Sequence, residues 1–211
     1  SYEKRKNTDD TEIARGLLNK AIDIDNHLIA AKVILGTTYR EMGDYDKAME
    51  IYTSALKQSE NLGDKCGMGS SLLGIGNVQS DKGDYDKALD YYARSLVISE
   101  ELDDKHGMGT SLNNIGIVYK KKGDHDKALD YYARSLVIHE ELDDKLGMGA
   151  SLINIGIVHS NKGDYDKAEE YLEKSLPIME ELSHKSGMED ILNNIGVVHY
   201  NKGDYDKALD Y

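Results

Sequence analysis

Three asparagines, Asn114, Asn154 and Asn194, recur in this chain at steps of 40 residues. Asparagine is a middling helix former because its amide competes for backbone hydrogen bonds, so a column of them inside helices calls for a reason. A carboxamide donates and accepts at once, which suits it to hold the backbone of an extended peptide whatever the peptide's side chains. Set against this reading is the plain one, that they are inherited repeat residues. Three residues beyond each asparagine stand Ile117, Ile157 and Val197, which would seat the peptide's side chains. Asn77, Asn113 and Asn193 flank the column, and Lys120, Lys121, Asn161 and Asn201 extend the same stripes. Together these residues form the predicted peptide-binding set.

Other constellations point to no chemistry. Asp81, Asp84 and Asp86, like Asn161, Asp164 and Asp166, imitate part of a calcium loop. Their glycine precedes the second carboxylate and no Glu closes the loop, so the pattern fails and helix capping explains them. His159 and His199 take the place of Tyr119, a half-buried ring position, on neighbouring helices roughly 10 Å apart, too far to share a metal. Serines and threonines form no nucleophile elbow, and the glycines follow the repeat and build no phosphate loop. No catalytic set, metal site or cofactor is expected.

The elements that must position these residues follow from the 40-residue period. Gly36, Gly76, Gly116, Gly156 and Gly196 are in phase, as are Gly43 to Gly203 and Ala48 to Ala208 at the same steps, which marks a repeat array. Leu112, Ile115, Gly116 and Tyr119 share one helical face. Lys120 to Lys122 suit the carbonyl end of that helix, and Gly123 stops it. Asp124 is placed to cap a second helix whose apolar stripe is Ala128, Leu129, Tyr132 and Leu136. Each unit is therefore predicted to be a helical hairpin.

A Leu, Ile-Gly three and four residues on, a Tyr three beyond, a Gly-Asp-Tyr turn and an Ala followed by an aromatic resemble the tetratricopeptide repeat. The spacing is similar to the long variant of kinesin light chains and Pins-type scaffolds. Two features depart from the pattern: Leu72, Leu112, Leu152 and Leu192 replace the aromatic that opens the first helix, and Glu60, Glu100, Glu140 and Glu180 replace the closing Pro. The resemblance implies an all-α fold, an α-solenoid of stacked antiparallel helix pairs in a right-handed superhelix. First helices would line a concave groove, and the groove asparagines would bind peptide as in those scaffolds. The paired Lys and Asn of chaperone-tail carboxylate clamps are absent.

The expected boundaries are a loose segment over 1–10, a helix over 11–25 started by a capping box at Asp9 and Glu12, and hairpins over 27–61, 65–102, 104–142 and 144–182. A truncated hairpin follows over 184–211. Asn26 is expected to cap the first hairpin, and Pro177 to kink its helix. Residues 82–109 and 122–149 differ only at Tyr85/His125, Ser99/His139 and His106/Leu146, which suggests internal duplication.

The net charge of −13 argues against unspecific binding to nucleic acid or to an anionic membrane. It is unevenly spread: the first-helix segments sum to +4, so the acid lies on the second helices and their turns. No apolar run is long enough for a bilayer and no signal peptide opens the chain, so a cytoplasmic location is expected. The lone Cys66 agrees with a reducing compartment and is read as a tolerated surface position. The predicted function is a non-enzymatic protein-protein interaction scaffold holding an extended or partly helical peptide. The alternative is a regulatory or oligomerising segment of a larger signalling kinase, cyclase or protease. Because no polar cap follows the last unit, self-association through the C-terminal end is a further expectation.

Overall fold

The computed structural model of the chain describes residues 2–25 and 28–211. The described residues form helices α1 (Tyr2–Ile24), α2 (Ile29–Glu41), α3 (Tyr45–Leu62), α4 (Lys65–Asp81), α5 (Tyr85–Glu101), α6 (Lys105–Lys121), α7 (His125–Glu141), α8 (Lys145–Lys162), α9 (Tyr165–Glu181), α10 (Lys185–Lys202) and α11 (Tyr205–Ala208). They divide into two compact units, residues 1–103 and 104–211.

The turn inside each hairpin works as its residues require. Gly123 adopts a φ of +79°, open to glycine and strained for other residues, and the Oδ1 of Asp124 accepts the amide of Lys127 at 3.3 Å to start α7. Between hairpins a second set of caps appears that the repeat pattern alone did not announce. Asp64, Asp104, Asp144 and His184 accept the amides of Gly67, Gly107, Gly147 and Gly187 at 3.0, 3.0, 3.1 and 3.0 Å.

In the first unit α1 packs on α2, α2 pairs with α3, and α4 pairs with α5 and stacks on α2 and α3. The core holds Ala48, Tyr52, Ile75 and Val78. Residues 2–10, expected to be loose, belong to α1: Glu3, Lys4, Arg5 and Lys6 are good helix formers and no Gly or Pro intervenes before Gly16. The helix thus begins ahead of the expected capping box. The cap expected at Asn26 lies outside the described residues.

In the second unit α6 pairs with α7 and α8 with α9, α7 packs on α8 and α9 on α10, and α8 lies beside both α6 and α10. The unit's buried apolar side chains include a cluster of Ala128, Tyr132, Ile155 and Val158 and another of Ala168, Leu172, Met179, Ile191, Ile195 and Val198. The ring of Tyr132 crosses Gly116 so closely that a Cβ there would meet ring carbons at 2.7 Å. Glycine at this register is thus a packing requirement. Pro177 lies on the exposed side of α9, and the helix runs on past it to Glu181.

Ion pairs recur at the repeat spacing. Lys105 Nζ meets Glu141 at 2.7 Å, Lys145 pairs with Glu181, and Lys162 reaches Asp126 at 2.6 Å. Exposed pairs of this kind add little each.

Candidate functional site

The predicted binding residues of the second unit lie on α6, α8 and α10 and range from half-buried to exposed. Their partners differ from one helix to the next. Asn154 on α8 donates Nδ2 to Asn113 Oδ1 of α6 at 3.2 Å, and its Oδ1 accepts Lys120 Nζ at 3.2 Å. A carboxamide carries two N–H donors and two lone pairs, so this bridge uses one of each. Lys120, Asn154 and Asn113 therefore form one polar chain from α6 to α8. Burial, and secondarily the neighbouring Lys121 charge, push the Lys120 ammonium below its ordinary pKa.

Asn114 is half-buried beside this chain. Asn194 turns back on its own helix and donates Nδ2 to the Asp190 carbonyl at 2.7 Å. The three column asparagines are thus equivalent in sequence but not in bonding. Asn77 belongs to the first unit, where its Oδ1 accepts the Tyr92 hydroxyl at 2.7 Å. Ile117 is half-buried against the Tyr132 core and Ile157 is half-buried, whereas Val197 is 53% exposed. Lys121, Asn161, Asn193 and Asn201 are exposed. Beyond Val197 an open apolar recess is lined by Tyr200, Tyr205, Leu209 and Tyr211.

The tyrosines of the second helices explain why neighbouring positions differ. Fifteen residues before each stands the side chain its hydroxyl meets: Tyr52 shares a 2.9 Å bond with Thr37, Tyr92 uses Asn77, and Tyr132 faces the apolar Ile117 register. In the fourth repeat Leu172 is paired with Ile157 in the same register.

His159 and His199 are buried more deeply than the half-buried position expected of them. Their rings stack on Tyr171 and Tyr211 at 5.6 Å each, with Asp164 at 3.3 Å from His159 Nδ1 and Glu169 at 3.4 Å from His199 Nε2. Cys66 is exposed, as read from the sequence. No helix among the described residues is long and apolar enough to cross a membrane.

A family model described as tetratricopeptide repeat matches residues 27–101, 67–141 and 107–181, and a second of the same description matches residues 190–211. The chain belongs to the tetratricopeptide repeat family. Among solved structures, BtubC (BKLC) from P. vanneervenii is similar over 95% of this chain and 85% of its own, with a TM-score of 0.78 and 22% identity. A Rap protein in complex with Competence and Sporulation Factor matches over 92% of this chain and 55% of its own, with a TM-score of 0.77 and 19% identity. A putative kinesin light chain of Podospora anserina with nearly identical repeats matches over 87% and 91%, with a TM-score of 0.69 and 14% identity. These tetratricopeptide likenesses establish the fold. No curated protein matches the chain.

Proposed function

We propose that this tetratricopeptide protein is a non-enzymatic interaction scaffold that holds an extended or partly helical peptide in a concave groove lined by α6, α8 and α10. The observation that carries the reading is the Lys120–Asn154–Asn113 chain, polar groups with bonding capacity to spare set beside Ile117 and Ile157. The peptide backbone would meet Asn114 and Asn154, and its apolar side chains would rest on Ile117, Ile157 and Val197. A Rap protein of like fold was solved with Competence and Sporulation Factor bound, which supports a binding role for this fold.

The test is a peptide selected from a displayed library on the wild-type chain, titrated calorimetrically against Asn114→Ala, Asn154→Ala and Asn194→Ala combined. Affinity should fall about tenfold or more, the equivalent of about 1.4 kcal/mol or more. Unchanged affinity would sink the proposal. The sequence alone predicts an unaltered melting temperature for this variant; the bridge revises that, because losing Asn154 removes two half-buried hydrogen bonds of about 1 kcal/mol each. Circular dichroism at the titration temperature keeps the two effects apart.

A further inference from the structure

Three side chains that the peptide face does not use converge where α6, α7 and α8 meet in the second unit. His106 stands in the first turn of α6, His139 in the last turn of α7, and Asp144 caps α8. Asp144 Oδ2 lies 2.9 Å from His139 Nδ1 and 3.6 Å from His106 Nδ1, and the ligating atoms all lie within 4.8 Å of one another. Asp144 Oδ1 is occupied by the Gly147 amide, which fixes the carboxylate and leaves Oδ2 to the two imidazoles.

The His139 side chain is 6% exposed, yet its Nδ1 has no aligned hydrogen bond: the Asp144 oxygen is close but off the N–H line. Close approach without alignment is the relation between two ligands aimed at a shared third point. Ligands held tetrahedrally about 2.0–2.1 Å from a zinc ion lie about 3.3 Å apart, and the separations of Asp144 Oδ2 from the two imidazoles, 2.9 and 3.6 Å, straddle that value. His106 is 73% exposed, so its ring is free to close the remaining gap, and solvent reaches the fourth position. The amino end of α8 opposes a cation with about half a charge, which the full charge of Asp144 exceeds. Of the repeat registers, this junction alone carries two imidazoles: the equivalents of His139 are Ser59, Ser99 and Met179, and those of His106 are Cys66, Leu146 and Ser186.

We propose that His106, His139 and Asp144 form a binding site for a borderline divalent cation, zinc in the first instance. Two imidazoles and one carboxylate with an open position match the ligand preferences of that ion. The bound ion ties α6, α7 and α8 together.

The experiment is calorimetric titration of the full chain with zinc chloride alone at neutral pH, repeated on His139→Ser, His106→Ser and Asp144→Asn. The serines already occupy these registers in sister repeats, and asparagine keeps the cap acceptor while removing the charge, so all three should fold, as circular dichroism would verify. Wild type should bind one ion, each variant should bind about tenfold or more weakly, and His125→Tyr should bind as wild type does. Zinc should also raise the melting temperature of wild type and leave that of the doubly substituted His106→Ser/His139→Ser chain unmoved. Two results overturn the proposal: no saturable binding by wild type up to about 1 mM zinc, well beyond what structural zinc sites need, or wild-type affinity in the doubly substituted chain.

Discussion

Replacing Tyr92 and Tyr132 by Phe should move stability in opposite directions, although the two residues hold the same place in successive repeats. Both side chains are buried, and a Cβ on the facing glycine, Gly76 or Gly116, would meet each ring at 2.6 or 2.7 Å, so ring packing is alike. The hydroxyls differ. Tyr92 donates to Asn77 Oδ1 at 2.7 Å, whereas the Tyr132 hydroxyl has no hydrogen-bond partner among the described residues because Ile117 stands where Asn77 does. Tyr92→Phe forfeits that bond and should cost about 1 kcal/mol. Tyr132→Phe removes a desolvated hydroxyl with nothing to offset it and should gain about 1 kcal/mol. For a chain of this size each kcal/mol corresponds to about 2–4 °C in Tm, so the two variants should separate by about 4–8 °C. Thermal and urea unfolding followed by circular dichroism read the difference. Equal destabilisation by both changes would refute the reasoning, since the ring contacts and not the hydroxyl partners would then set the outcome.

Pro177 takes the place of Val97 and Val137 inside a second helix and lacks the amide that α9 would use there. Pro177→Val should therefore stabilise the chain by up to about 3 kcal/mol, and a urea midpoint no higher than wild type would contradict this. Burial raises the pKa of Tyr52, Tyr92 and Tyr132 above the ordinary value of 10.0. Because the folded values are the higher ones, the stability these phenols contribute is complete below about pH 10, the unfolded value, and is lost as pH rises through the folded values. In an alkaline titration followed by tyrosinate absorbance, these three should ionise after the exposed tyrosines and together with unfolding. Smooth ionisation of all fifteen tyrosines near pH 10 in a still-folded chain would count against their burial.

The sequence by itself determined the hairpins. Gly123, Asp124 and the 3.6-residue stripe of Leu112, Ile115 and Tyr119 act within a turn or two of chain, and their effects repeat every 40 residues, so the helix pairs and the family were legible. It also singled out Asn114, Asn154 and Asn194 as residues in need of a reason, with Asn113 and Lys120 beside them. Only the tertiary structure decided that Asn154 bridges two helices while Asn194 folds back on its own. Both stand in one register, and the difference lies in the preceding helix: α6 offers Lys120 and Asn113 to Asn154, whereas the same registers of α8 hold Ser160 and Ile153, and Asn194 bonds the Asp190 carbonyl of its own helix. The same holds for His106, His139 and Asp144. Local periodicity fixes the direction of a side chain about its own helix axis, whereas the meeting of three helix ends depends on how helices pack, which no single-helix pattern records.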